Sequence, residues 1–283
     1  MTITPLILIG HSNRVPSATI TGGSWTGSRD LVKTRPTGTR LIATSNALSA
    51  TKLTLTWARP QPIQMLAVVG HNGSRNGLMR WSAYEGATLR YQGAWLDLKA
   101  PVASTYALSW YDFGLFTGKP EDEFYARYPS QVFDYLPATI GADRIEVEFD
   151  DQTNAEALSV GFIAAMQVWQ PSVAPDWPIA ISPRTVSELE VTEGDVELGV
   201  EGAPVRETRL SFAHLPEADG IRLNRIQREA GETGELWLDI DPQAQGAMTN
   251  YDRAMLCRQV DPEGVTFSEF WRASGARLFR EVF

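Results

Sequence analysis

Apolar and polar positions alternate with a period of two through much of the chain, the mark of strands with one buried face. Leu53, Leu55 and Trp57 alternate with threonines. Ile145, Val147 and Phe149 alternate with Glu146 and Glu148. Elsewhere the apolar run is continuous. Met65–Val69 predicts a strand covered on both faces, and Leu6–Ile9 a buried first strand. Further strands are expected at 78–84, 88–98, 158–169, 186–191, 205–212, 236–240, 253–260 and 265–282. Pro60 and Pro62 are expected to break the strand that starts at Leu53. Residues 14–50, rich in Ser, Thr and Gly, read as surface connections and short strands.

One segment carries a helical period instead. Leu215, Ala218, Leu223, Ile226 and Ala230 form an apolar stripe. Pro216 suits the first turn, Glu217 and Asp219 suit its positive end, and Gly231 is a natural stop. His214, just before it, reads as a loop or cap residue. The proline-rich stretch 170–183 predicts a boundary. The expected fold is therefore mainly β: a jelly-roll β-sandwich over 1–172, then a smaller β-rich domain with one α-helix over 183–283.

Residues 104–137 fit neither period. They hold Trp110, Tyr111, Phe113, Phe116, Phe124, Tyr125, Tyr128, Phe133 and Tyr135 among acids and prolines. Three uses of these rings stay open: a mini-core of the segment itself, a protein interface, or a surface on which sugars stack. Trp110, Tyr111, Tyr125 and Tyr128 are the candidate interface or glycan contacts.

Charge and composition narrow the function. The 283 residues carry a net charge of −9, which opposes binding to nucleic acid or to an anionic membrane. A single cysteine, Cys257, excludes an intrachain disulfide and a cysteine-rich zinc site. No apolar run is long enough to span a membrane, and the N-terminal residues lack the pattern of a signal peptide.

Catalytic patterns are sparse. Gly114–Pro120 superficially has the look of a phosphate loop, but it is one residue short and has Pro120 where a magnesium-binding hydroxyl belongs. His11, His71 and His214 have no partner at metal-ligand spacing, and Ser12 beside His11 makes no triad by adjacency. Asp239 and Asp241 share one strand face, read as a solvated face before a turn. No carboxylate pair is singled out for glycoside hydrolysis. Neither a catalytic residue, a cofactor nor a metal site is expected, and the chain reads as a non-enzyme.

The run ATKLTLTWARPQPIQMLAVVGHN, with Asn13-Arg14-Val15-Pro16 and Arg35-Pro36 upstream, resembles a pattern of bacteriophage and prophage tail proteins. ADRIEVEFDDQTNAEALSVGFIAAMQVWQP resembles its second half, with Arg144, Asp151, Asn154, Gly161, Trp169, Gln170 and Pro171 in matching places. Ala164 and Ala165 depart from it where glycine is usual. The resemblance covers about residues 10–190. It implies a galactose-binding-like (discoidin-type) jelly roll whose loops at one end bind ligands. The C-terminal outline is similar to the ring-forming domain of distal tail proteins. Together these imply a baseplate component, made in the bacterial cytoplasm and carried in the virion tail. Its partners would be further copies of itself in a ring and other tail proteins. The alternative is a carbohydrate-binding module that contacts host glycans.

Overall fold

The structure is a computed structural model. It describes residues 7–34, 39–101, 118–119, 125, 130–176, 178–185, 188–191, 197–200, 204–242, 252–260, 265–269 and 272–282, the side chains of 185–204 and 267–269 aside. The N-terminal strands are β1 (Leu8–His11), β2 (Thr19–Thr21), β3 (Trp25–Thr26), β4 (Leu41–Ala43), β5 (Leu53–Val69), β6 (Leu78–Glu85), β7 (Thr88–Gln92), β8 (Leu96–Asp97), β9 (Gln131–Asp150), β10 (Ser159–Val160) and β11 (Phe162–Trp169). Then come β12 (Ala180–Thr185), β13 (Glu188–Val191), β14 (Glu197–Val200), β15 (Pro204–Pro216), the helix α1 (Glu217–Ala230), β16 (Leu236–Asp239), β17 (Ala254–Val260), β18 (Thr266–Glu269) and β19 (Arg272–Glu281). The mainly β class with one helix is as the pattern of the chain predicts.

Fourteen strands form one antiparallel sheet, ordered β12-β15-β19-β17-β16-β1-β11-β5-β9-β6-β7, with β2, β8 and β18 attached at its side. A small second layer, β10-β4-β3, lies over part of it. Between the layers Trp25, Leu41, Leu53, Leu55, Val68, Trp81, Ile145, Val147 and Phe149 form the sandwich core. The alternation at 145–149 puts these three residues inward as expected. On the same side but further along, α1 covers β15 and β19 with Leu223 and Ile226, over Leu210, Phe212, Leu236, Leu238 and Phe279. Ile7, Ile9 and Trp169 join this second cluster.

The other face of the sheet is buried by curling. Met65, Ala67, Val69, Phe162, Ala164 and Met166 meet Trp237, Ala254 and Leu256 there. β9 and β16 are separated by three strands, yet the Tyr135 hydroxyl donates to Asp239 Oδ2 at 2.8 Å and Trp237 Nε1 donates to Tyr135 at 2.8 Å. Gln131 Nε2 likewise reaches the Ala254 carbonyl at 2.8 Å. Gly10 sits at the crease. A Cβ there would stand 2.7 Å from Met65 Sδ and 2.8 Å from Trp237 Cβ, so only glycine lets the sheet close this tightly.

Three expectations are corrected. First, Pro60 and Pro62 do not end β5. The strand runs past them because its pairing to β9 shifts register between Thr56 and Gln61, and irregular pairing tolerates the missing N–H groups. Second, 131–137 is not part of an irregular excursion but the first half of β9, where Phe133 and Tyr135 pack into the curl. Third, His214 lies inside β15, at the irregularity between Phe212 and Leu215, rather than in a loop. β12 also crosses Pro183, which is possible on an outermost strand.

Candidate functional site

The loops at one end of the sandwich are held by short polar side chains. Asp151 accepts from Ser74 N at 2.8 Å, from Ser74 Oγ, and from Asn154 Nδ2 at 2.9 Å. Asn72 accepts from Ser159 N at 2.6 Å and donates to the Ala157 carbonyl at 2.9 Å. Asn46 accepts from Leu158 N at 2.9 Å and donates to the Glu156 carbonyl at 2.8 Å. Such Asn and Asp side chains substitute for ladder bonds that a turn cannot make. Asp151 and Asn154 belong to the tail-like motif, and their work here is to hold backbone.

His71 is buried under the same loops. Its Nδ1 accepts from Gly73 N at 3.2 Å, which assigns the ring proton to Nε2, an atom without a partner. Burial first, then the nearby Lys99 and Arg40, lower its pKa to about 3. His71 is therefore a neutral core group.

Ahead of β9, two described residues of the aromatic-rich segment, Lys119 and Tyr125, are fixed to this end. Lys119 Nζ donates to Asp97 Oδ1 and to the Arg75 carbonyl, each at 2.6 Å. That engagement takes the lysine of the phosphate-loop lookalike. The Tyr125 hydroxyl donates to the Ala100 carbonyl at 2.9 Å, and Lys99 Nζ lies 5.3 Å from its ring centroid. Tyr125 is 4% exposed, so this candidate contact is an anchor inside the chain. Trp110, Tyr111 and Tyr128 lie outside the described residues.

Other aromatic faces near the sandwich surface are covered. Arg80 stands 4.5 Å over the Trp95 ring, and Arg144 stands 4.2 Å over Tyr84. Both arginines belong to a charge ladder with Glu146, Glu148 and Lys52 on the outer face of β5, β6 and β9.

A second cluster joins β1 to α1. Ser12 has a φ of 56°, unusual for a residue other than glycine. Its Oγ lies 2.8 Å from His11 Nδ1 and donates to Glu229 Oε2 at 2.9 Å. His11 Nε2 lies 3.3 Å from an Arg222 nitrogen, which can only donate. The network thus assigns the proton to Nδ1, and His11 gives it to Ser12 instead of taking one. That is the reverse of a base activating a nucleophile. Burial, with Arg222 and Arg14, lowers the His11 pKa to about 4, against a smaller upward pull from Glu229. An open cleft of about 430 Å³ lies alongside, lined by Ser12, Asn13, Arg14, Pro16, Glu229 and Glu235 among others.

Asp239, read from sequence as solvated, is buried instead. It accepts from Tyr135, and burial raises its pKa. Nothing local marks this, because Tyr135 is 104 residues away. Among the described residues no group of three or more His, Cys, Asp or Glu is placed to hold a metal ion, and no helix is long and apolar enough to cross a membrane.

No protein-family model and no curated protein matches the chain. Among solved structures it is similar to SpGH29, with a TM-score of 0.38 and 7% identity over 55% of this chain; the match spans 28% of the length of SpGH29. It is similar to CBM32-1 from a family 31 glycoside hydrolase from Clostridium perfringens, with a TM-score of 0.34 and 8% identity over 56% of this chain and 99% of that one. It is also similar to CpGH89CBM32-6, produced by Clostridium perfringens, with a TM-score of 0.33 and 9% identity over 55% of this chain and 99% of that one.

Proposed function

We propose that the chain is a non-catalytic binding protein that takes a glycan at the end of its sandwich where residues 71–77, 97–100 and 151–159 meet. The observation that carries this reading is anchorage. Lys119 and Tyr125 tie the aromatic-rich segment to loops that are themselves locked by Asp151, Asn72 and Asn46. A sugar site needs flat apolar faces beside convergent polar groups on a rigid support. Trp95 and Tyr84 already lie under arginines. The residues proposed for stacking are Trp110, Tyr111 and Tyr128. The test is a glycan array followed by calorimetry on Trp110→Ala with Tyr111→Ala. The expected result is a loss of affinity of about tenfold or more with an unchanged thermal midpoint. Absence of any glycan ligand, or full affinity in the variant, ends this reading.

A second reading is a ring component of a phage tail tip that docks other tail proteins. It is supported by the tail-like motifs and by the continuity of the sheet, which joins the sandwich to the helix-bearing strands through β1. A ring built on those strands would hold every sandwich in one orientation. Mass spectrometry of purified virions from the host of origin tests it; absence of this chain from the particles ends it.

A further inference from the structure

We propose that the cleft between the end of β1 and the last turn of α1 binds a small zwitterion, with its carboxylate on Arg14 and its ammonium group on Glu229, independently of what the sandwich binds. The cleft holds about 430 Å³, a size common for small-ligand sites. Ala230 and Gly234 line it without filling it. A Cβ on Gly234 would stand 2.3 Å from the Ala230 carbonyl oxygen, so that position stays bare.

One part of the lining offers donors. The backbone of Arg14 is pinned: its N–H donates to the Ala165 carbonyl at 2.8 Å, and its carbonyl accepts from Trp57 Nε1 and from Ser17 Oγ, each at 2.9 Å. The residue is half-buried, yet its guanidinium makes no hydrogen bond or ion pair among the described residues. Next to it in the chain, Asn13 Oδ1 accepts from Val15 N at 3.2 Å and from Ala165 N at 3.1 Å, while Nδ2 has no partner. A guanidinium on a fixed base suits a carboxylate, which it can bond at two points.

The rest of the lining supplies negative charge. Glu229 lies in the last turn of α1, where the helix dipole favours a cation over an acid. The cation of that turn, Arg228, lines the neighbouring cleft instead. A chain of hydrogen bonds from Arg222 through His11 and Ser12 ends on Glu229 Oε2. Ser12 holds its place in that chain at a φ of 56°, and strain of this kind is kept where a site needs it. Both contacts of Glu229 use Oε2, so the carboxylate is oriented and Oε1 is left to the cleft. Glu235 adds a second carboxylate to the lining. A lone anion would meet two carboxylates here, and a lone cation would meet the guanidinium. A molecule that carries both charges, of amino-acid or dipeptide size, matches the whole lining.

The test is calorimetry on the full-length chain. The probes are glycine, L-alanine, L-lysine, β-alanine, γ-aminobutyrate, ε-aminohexanoate and glycylglycine, with butyrate and n-butylamine as single-charge controls. At least one zwitterion is expected to bind with a Kd of about 1 mM or tighter, and about tenfold tighter than either control. Arg14→Gln and Glu229→Gln are each expected to weaken that binding by about tenfold or more, since each removes one charge-assisted bond. Arg225→Gln, in the neighbouring cleft, is expected to leave it unchanged. Circular dichroism checks that each variant is folded, and both cleft variants keep a polar side chain of similar length. No binding by any zwitterion overturns the proposal. So does butyrate binding as tightly as the best zwitterion, which would make this an anion site only. Full affinity in Arg14→Gln or Glu229→Gln, or equal loss in Arg225→Gln, overturns the placement of the ligand in this cleft.

Discussion

Beneath the small layer β10-β4-β3 the sheet buries Leu53, Leu55, Trp81, Val147 and Phe149, and its polar groups stand apart in the loops at the end. On the α1 side the same sheet buries Glu281, bonded to a half-buried Arg206, together with Thr208, Gln259, and Arg277 bonded to Gln227. Arg206 Nε lies 2.9 Å from both Glu281 oxygens, and Arg206 N donates to Glu281 at 3.0 Å. Thr208 and Gln259 flank Phe279 across three strands, yet Thr208 Oγ1 and both Gln259 side-chain atoms have no hydrogen-bond partner. The sandwich is held by apolar burial, which is tolerant of detail. The helix-bearing part adds to its own apolar cluster a set of polar pairs inside the sheet, which stabilise little but punish the loss of either partner.

The largest expected effect breaks the apolar side. Val68 is fully buried in β5 between two strands. Val68→Asp is expected to cost several kcal/mol and to abolish cooperative unfolding in a urea titration, since it buries a charge without a partner. A soluble, cooperatively unfolding variant would mean that β5 is not a central strand.

Acid probes both regions at once. His71 lies in the sandwich and His11 at the foot of α1, with pKa values lowered to about 3 and about 4 from 6.5. The unfolded chain therefore takes up each proton first. Stability is full above about pH 6.5 and falls as the pH drops, until about 4 for His11 and about 3 for His71. The slope is roughly 1 kcal/mol per pH unit from each histidine. Urea midpoints at pH 7, 5.5 and 4.5 measure it. In His71→Asn the sandwich share of the slope should vanish, and an unchanged slope would show that His71 is not held neutral.

Glu281→Ala is expected to cost about 2 kcal/mol, because the half-buried Arg206 loses its carboxylate and keeps its bond to the Ala254 carbonyl. Replacing both partners, with Arg206→Met and Glu281→Leu, is expected to restore most of that loss. If the double variant is no better than the single, the pair contributes more than mutual neutralisation. The smallest effect has the opposite sign. Thr208→Val keeps the shape and removes an unbonded hydroxyl, so a gain of about 1 kcal/mol is expected. A loss would mean that a bound water satisfies this hydroxyl.

The same contrast governs what could be read from sequence. The sandwich strands were legible because period-two burial leaves a local trace, as at Ile145, Val147 and Phe149. α1 was legible from its stripe and its bounds at Pro216 and Gly231. The passage of β5 through Pro60 and Pro62 was not, since the tolerance lies in a register shift against β9. The curl was not legible either: it depends on Gly10 lying against Met65, Met166 and Trp237, residues from three other strands. As for the site, the aromatic segment was visible as composition, but Tyr125 as an anchor depended on Ala100. The bond from Ser12, beside His11, to Glu229 spans 217 residues and leaves no local sign.

β1 pairs with β11 along one side and with β16 along the other. During synthesis Leu8–His11 leaves the ribosome early, while Leu236–Asp239 follows more than two hundred residues later. At about 5–20 residues per second that interval is on the order of tens of seconds. In its last part, after β11 has paired with β1 and before β16 arrives, the nascent sandwich presents an apolar strand edge with open N–H and C=O groups, a template for pairing with any extended segment nearby. Expression that is fast, or that stalls before residue 236, therefore favours aggregates seeded at β1, and a holdase acting on that edge is where a chaperone would raise the yield most.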